Sequence, residues 1–228
     1  GLANKLGIPS SWKLCCNCAE TVSKLPAEKA VLTGTPFRHE LLQGDPEAAL
    51  LFTGLKAGKP VLMISCGSLG SVAVNTAVRN FLSDLLKDFQ VIHLCGKGKL
   101  DTSLTDTEGY VQYEYIKDEL SDLFALSDLV SSRAGANAIC EISALKKPNL
   151  LIPLSANASR GDQILNARSF EKLGYSKVLE EEEITNEKLL QTIRDLYANR
   201  EQYIEAMSKS SQMDSIGKIV GMLWDCAK

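Results

Sequence analysis

Ser132-Arg133-Ala134-Gly135-Ala136, followed five positions later by Glu141, brings together residue types suited to holding a nucleotide diphosphate. The apolar run from Ser127 to Ser131 reads as a buried parallel strand. Ala136 to Lys146 reads as a helix with Ala136, Ile139, Ile142, Ala144 and Leu145 as its apolar positions. A small-residue turn from strand to helix offers backbone N–H groups at the positive end of the helix dipole, where a diphosphate binds well. Glu141 falls about one and a half turns into that helix. A carboxylate beside a phosphate is repulsive unless something else needs it, and a ribose diol does.

Three further loops follow predicted strands. Cys66-Gly67-Ser68-Leu69-Gly70 comes after strand Val61–Ser65 and opens a helix, so it suits either a phosphate or close backbone packing. Gly96-Lys97-Gly98-Lys99 reads as a solvated turn, and His93 on the strand before it reads as a packed, hydrogen-bonded core histidine. Within Pro153 to Asn166, Gln163 and Asn166 lie three apart on one helical face. Their amides suit sugar hydroxyls, and they suit helix capping as well.

The elements that must position these loops alternate between strand and helix. Residues 1–6 read as a short helix, 12–22 and 29–33 as two strands, and Phe37 to Gly58 as a linker with weak helical character. The order then runs strand 61–65, helix 72–87, strand 90–94, strand 110–114, helix 118–126, strand 128–131, helix 136–146, strand 149–152 and helix 162–173. The remainder reads as helical, with Leu189, Ile193, Leu196 and Tyr197 on one stripe and Met213, Ile216, Val220 and Leu223 on another. This alternation predicts an α/β fold: a parallel sheet with helices on both faces and ligands beyond the carboxyl ends of the strands.

Composition excludes several classes. With 228 residues and 45% apolar content the chain can bury a substantial core. A net charge of −3, interspersed signs and 6% aromatic residues leave no basic stripe or stacking platform for nucleic acid. Apolar runs fall short of the roughly 18–20 residues that span a bilayer. Seven scattered cysteines fit a reducing cytosol. Cys15-Cys16-Asn17-Cys18 contains a C-x-x-C spacing, but strand alternation separates Cys15 from Cys16 and Cys18, so buried thiols are expected there and no metal site. The first residue is Gly1, which reads as a processed chain or a part of a longer one.

An ordered set of segments resembles the C-terminal two-thirds of the MurG family, GT-B-fold enzymes of peptidoglycan synthesis. It comprises Gly1-Leu2-Ala3-Asn4-Lys5, residues Thr33 to Arg38, Cys66 to Gly70 with Asn75, and His93 with Gly96-Lys97-Gly98. Tyr115-Ile116, Ser132 to Ala136 with Glu141, Pro148, Ile152-Pro153, and Gln163 with Asn166-Ala167 complete it. The resemblance implies an inverting transferase that moves N-acetylglucosamine from UDP-N-acetylglucosamine to lipid I, an undecaprenyl-diphospho-muramoyl pentapeptide, to give lipid II. It implies no cofactor and no required metal, with peripheral association at the inner face of the bacterial membrane. It further implies that the backbone of Ile116 recognises uracil and that Glu141 binds the ribose. The turn from Arg133 through Gly135, Ala136 and Asn137, with Gly67 and Ser68, would hold the diphosphate. Arg38 would lie at a hinge near the donor, and Gln163 and Asn166 would face the donor sugar.

On the same basis residues 1–37 are expected to be the tail of an N-terminal acceptor-binding domain. Residues 38–210 would be the UDP-sugar-binding Rossmann-like domain, and 211–228 a helix crossing back to the first. Two departures follow. Cys66 stands where the family has a first glycine, and a positive φ there would cost about 1 kcal/mol or more. Nothing matches the family's glycine-rich acceptor loop, so the catalytic base is expected outside this chain, which alone would be inactive. Met213, Ile216, Val220, Leu223 and Trp224, together with Cys15 to Cys18, are then expected to lack cover. Two alternatives stay open: a UDP-sugar-binding subunit of a split transferase, and another GT-B enzyme such as a glycolipid glucosyl- or galactosyltransferase or a UDP-sugar epimerase.

Overall fold

A computed structural model describes residues 2–17, 19–67, 69–156, 161–210 and 215–227. The chain divides into two compact units, Gly1–Phe37 with Ser210–Lys228, and Arg38–Lys209.

In the first unit, helix α1 (Leu2–Gly7) precedes strand β1 (Leu14–Cys16), helix α2 (Ala19–Val22) and strand β2 (Ala30–Leu32). β1 and β2 pair in parallel, Leu14 against Ala30 and Cys16 against Leu32. The Cys16 carbonyl then accepts from Thr33 and Gly34, closing the ladder. The strand expected over 12–22 is therefore only three residues long, because its pairing ends there and Ala19–Val22 turns helical. Cys16 is buried, against the expectation that the cysteine segment lacks cover, whereas Cys15 is exposed. Cys18 lies outside the described residues.

The second unit holds a 3-10 turn (His39–Gln43), helix α3 (Pro46–Thr53), strand β3 (Val61–Ser65), helices α4 (Val72–Asn80) and α5 (Leu82–Asp88), and strand β4 (Gln90–Leu94). It continues through strand β5 (Tyr110–Tyr113), helix α6 (Leu120–Leu126), strand β6 (Leu129–Ser132), helix α7 (Ala136–Ala144) and strand β7 (Asn149–Leu151). Helix α8 (Asp162–Lys172), strand β8 (Ser176–Val178) and helices α9 (Asn186–Ala198) and α10 (Arg200–Ser208) complete it. Helix α11 (Ser215–Cys226) belongs to the first unit.

Six strands form one sheet in the order β5-β4-β3-β6-β7-β8, every neighbouring pair parallel. Parallel strands need crossovers, and helices on both faces leave the central strands buried on both sides. Alternate residues serve the two faces. Leu62, Ile64, Val91 and Leu129 pack with α4, α5 and α9, while Val61, Met63, Ile92 and Val130 pack with α3, α6 and Ile142 of α7.

Several boundaries differ from the sequence reading. The helix expected over 72–87 breaks at Phe81, whose φ of −124° and ψ of 23° form a corner. Its ring is buried with residues of both halves, so the apolar periodicity runs through the break unmarked. The linker over 37–58 contains α3, started by Asp45, whose side chain accepts from the Glu47 amide. β8 carries no sequence signal, since three residues show too little alternation. Among the described residues no helix is long and apolar enough to cross a membrane.

Candidate functional site

The strand order reverses direction between β3 and β6: β4 and β5 follow on one side, β7 and β8 on the other. At such a switch point the connections leave the sheet in opposite directions and open a crevice at the strands' carboxyl ends, where α/β folds bind ligands. The two loops flanking this one are 66–71, after β3, and 133–135, after β6. Both were singled out by sequence.

Helix α7 begins at Ala136 with Gly135 as its N-cap in an extended conformation, φ −68° and ψ 137°, and no side chain caps it. Its first amides therefore have no side-chain acceptor of the kind that usually satisfies a helix N-terminus. A Cβ on Gly135 would meet no atom within 4 Å, so the space before the turn is open. Asn137 is exposed, and Gly135 and Ala136 are half-buried.

Glu141, on α7, meets Arg38 in a two-pronged ion pair: Nε to Oε1 at 2.8 Å and Nη2 to Oε2 at 3.2 Å. The Arg38 side chain is 52% exposed and that of Glu141 17%. Hydrogen bonding to Glu141 raises the Arg38 pKa further above its already high value. Both residues were expected near one ligand, and the structure joins them directly.

Arg133 departs from expectation. The turn that begins at Arg133 was expected to hold the diphosphate, but the Arg133 guanidinium is buried. Nη1 donates to the carbonyls of Ile152 and Pro153, and Nη2 donates to Ser71 Oγ at 2.6 Å and to the Glu181 carboxylate. The charge is already neutralised by Glu181, and the residue ties β6, the α4 N-terminus and the chain after β8 together. Glu181 was missed because its partner is 48 positions away and its run of glutamates carries no local mark. Ser71 could have been found as a serine just before a helix: its Oγ accepts from the Val74 amide at 3.3 Å.

In loop 66–71 the strain expected at Cys66 is absent. Among the described non-glycine residues only Lys146 has positive φ, and it is Gly67 that adopts +77°. Cys66 packs into the core, and burial pushes its thiol pKa up to about 12, leaving it an inert apolar filler. Ser68 lies outside the described residues.

Gln163 and Asn166 brace the crevice wall. Gln163 Oε1 accepts from the Leu154 amide at 3.1 Å, and Asn166 Nδ2 donates to the Ala134 carbonyl at 3.1 Å. Ile116 follows β5 with its side chain in the core, and among the described residues its main chain makes no hydrogen bond. His93 is a buried core histidine, held neutral by burial that lowers its pKa to about 3. The Lys97-Gly98 tip is exposed, as a solvated turn should be. No group of three His, Cys, Asp or Glu able to hold a metal ion occurs among the described residues.

The family model for the glycosyltransferase family 28 C-terminal domain matches residues 61–219. A relative from Lachnospira eligens is 59% identical over 228 residues, covering 100% of this chain and 64% of its own. One from Lachnoclostridium phytofermentans is 60% identical over 223 residues, covering 98% of this chain and 63% of its own. Both are named UDP-N-acetylglucosamine--N-acetylmuramyl-(pentapeptide) pyrophosphoryl-undecaprenol N-acetylglucosamine transferase. The chain thus spans less than two-thirds of the length of the curated relatives it matches. The crystal structure of Acinetobacter baumannii MurG superposes with a TM-score of 0.70 at 21% identity, covering 99% of this chain and 63% of that one, a likeness of fold. The family resemblance read from the ordered motifs is borne out.

Proposed function

The chain belongs to glycosyltransferase family 28, and on that premise we propose that it is the donor-binding part of an inverting transferase moving N-acetylglucosamine from UDP-N-acetylglucosamine to lipid I. The observation that carries this reading is the uncapped N-terminus of α7 at the switch point, with Glu141 on the same helix. The α7 amides, with Gly67 and Ser68 opposite, bind the diphosphate through backbone N–H groups and the helix dipole. Glu141 takes the ribose hydroxyls. The carboxylate has about four acceptor positions, so a side-on Arg38 leaves room for a diol. The main chain of Ile116 pairs with the uracil edge. The amide atoms of Gln163 and Asn166 not engaged with Leu154 and Ala134 are the groups assigned to the sugar.

In an inverting displacement the diphosphate leaves as negative charge develops on it. Preorganised backbone dipoles aimed at that charge stabilise the transition state without a metal ion. The base for the acceptor hydroxyl is assigned to the N-terminal domain of the full-length protein, of which residues 1–37 are the tail and the rest lies outside the span of this chain. Membrane contact at the inner face is assigned to that same part. Ile216, Val220, Leu223 and Trp224 of α11 are exposed in the first unit, which fits an apolar stripe that takes its cover from the part of the full-length protein outside this chain; Met213 lies outside the described residues.

Calorimetry with UDP-N-acetylglucosamine, UDP-glucose, UDP-galactose and UDP tests the donor. The N-acetylated sugar nucleotide should bind most tightly, and a clear preference for UDP-glucose or UDP-galactose would transfer the chain to another glycolipid enzyme. Residues 1–228 alone should transfer no sugar to lipid I and should self-associate, and the full-length protein should do the reverse. Robust transfer by the monomeric chain would place the base within it.

A further inference from the structure

His93, on β4 and fully buried, has both ring nitrogens engaged. Nδ1 lies 2.9 Å from the Tyr110 hydroxyl and Nε2 lies 3.0 Å from Asn75 Oδ1. Asn75 Nδ2 in turn donates to the Cys95 carbonyl at 2.9 Å. A carbonyl only accepts, so the amide nitrogen must face Cys95 and the amide oxygen must face His93. His93 therefore carries its proton on Nε2, and Nδ1 accepts from the tyrosine. Every group donates once in the same direction: Tyr110 to His93, His93 to Asn75, Asn75 to the Cys95 carbonyl.

That carbonyl is where two loops touch. Gly70 and Gly96 both have positive φ, +62° and +89°. A Cβ on Gly70 would lie 1.8 Å from the Cys95 oxygen, and one on Gly96 would lie 2.4 Å from the Gly70 nitrogen. Backbone rests on backbone with no side chain between, so the Cys95 carbonyl cannot shift without moving Gly70. The Gly70 amide closes a turn onto the Gly67 carbonyl at 2.9 Å, carrying any shift into the loop at the switch point. Lys99 Nζ adds a second stitch to the Leu69 carbonyl, and Arg79 holds the Lys99 carbonyl at 2.6 Å.

We propose that Tyr110, His93 and Asn75 are positioning residues for the nucleotide-sugar crevice: their one-way chain of hydrogen bonds fixes the Cys95 carbonyl against Gly70 and thereby sets the turn from Gly67 to Gly70. The inference rests on the nucleotide-sugar reading of that crevice. A neutral, fully satisfied chain is rigid, whereas one missing link leaves a buried group unpaired, so the loop inherits the order of the sheet interior.

Tyr110→Phe removes one oxygen and keeps the ring that packs edge-on against His93. With UDP as probe, its Kd should rise about three- to tenfold, the loss of one buried hydrogen bond. Glycine-selective 15N spectra should show the Gly70 and Gly96 amides displaced, and the His93 Nε2–H resonance should lose protection from exchange. Asn75→Asp, which sets a carboxylate oxygen against the Cys95 carbonyl, should weaken UDP more than Tyr110→Phe does. Ile193→Val, trimmed in the same core cluster on α9, should lower the urea midpoint and leave the UDP Kd and both glycine signals in place. A Tyr110→Phe chain that only loses stability, with unmoved Gly70 and Gly96 amides and unchanged UDP affinity, would overturn the proposal. Should the parent chain bind no UDP, the nucleotide reading fails. The glycine amides then still decide: displacement supports the positioning chain, and its absence refutes it.

Discussion

Two arginine–glutamate pairs stand at the carboxyl edge of the sheet, and they are built for different tasks. Arg133 and Glu181 are 11% and 21% exposed at their side chains, and the guanidinium has further partners in two carbonyls and a hydroxyl. The side chains of Arg38 and Glu141 have only each other among the side-chain hydrogen bonds described, with the arginine half in water. Removing one partner from a desolvated pair strands a buried charge, whereas the median worth of a solvated pair is small. The first pair is therefore a structural tie, and the second is exchangeable, the property a ligand-facing carboxylate needs. The same two residue types are separated in role by burial and by the partners around them.

The largest effect expected is on the tie. Arg133→Met should destabilise the fold by about 3–5 kcal/mol in urea unfolding, because Glu181 is left with an uncompensated charge. A loss below about 1 kcal/mol would place Arg133 with the solvated pairs and dissolve the contrast.

Next comes Glu141→Ala, which should weaken UDP binding on the order of 10–100-fold in calorimetry, from loss of charge-assisted hydrogen bonds worth roughly 1.5–3 kcal/mol. The urea midpoint should hardly move. Unchanged UDP affinity would remove Glu141 from the site.

Arg38→Ala sharpens the comparison further. Having lost an orienting partner and one nearby positive charge, the chain should bind UDP less than about tenfold more weakly, with a stability change under about 1 kcal/mol. Tighter binding in this variant would mean that the pair competes with the ribose.

The smallest expected change is none at all. Arg133 is committed to Glu181, and the proposed reading leaves the diphosphate to the α7 amides and the glycine loop, so UDP affinity should survive EDTA. A strict magnesium or manganese requirement would show that these dipoles are insufficient.

Much of this architecture was legible beforehand. Short, largely apolar runs such as Val61–Ser65 and Gln90–Leu94 read as buried strands, and the small-residue segments after Val61–Ser65 and Leu129–Ser132 identified the crevice loops. Local signals failed where the determinant was distant or very short. β8 is recognised only by its pairing with β7, the corner at Phe81 keeps the helical apolar stripe intact, and the cysteine segment ends as a strand because its partner ladder ends.

The sequence by itself determined the parallel α/β class, the family and the turn that begins α7, because each follows from short-range pattern and residue type. Only the tertiary structure decided which charges are available. Arg133 and Arg38 are the same residue type, and their difference comes from Glu181, Ser71 and Glu141, which lie tens of positions or more away along the chain. Desolvation and pairing depend on what the fold packs around a side chain, and a linear pattern does not contain that information.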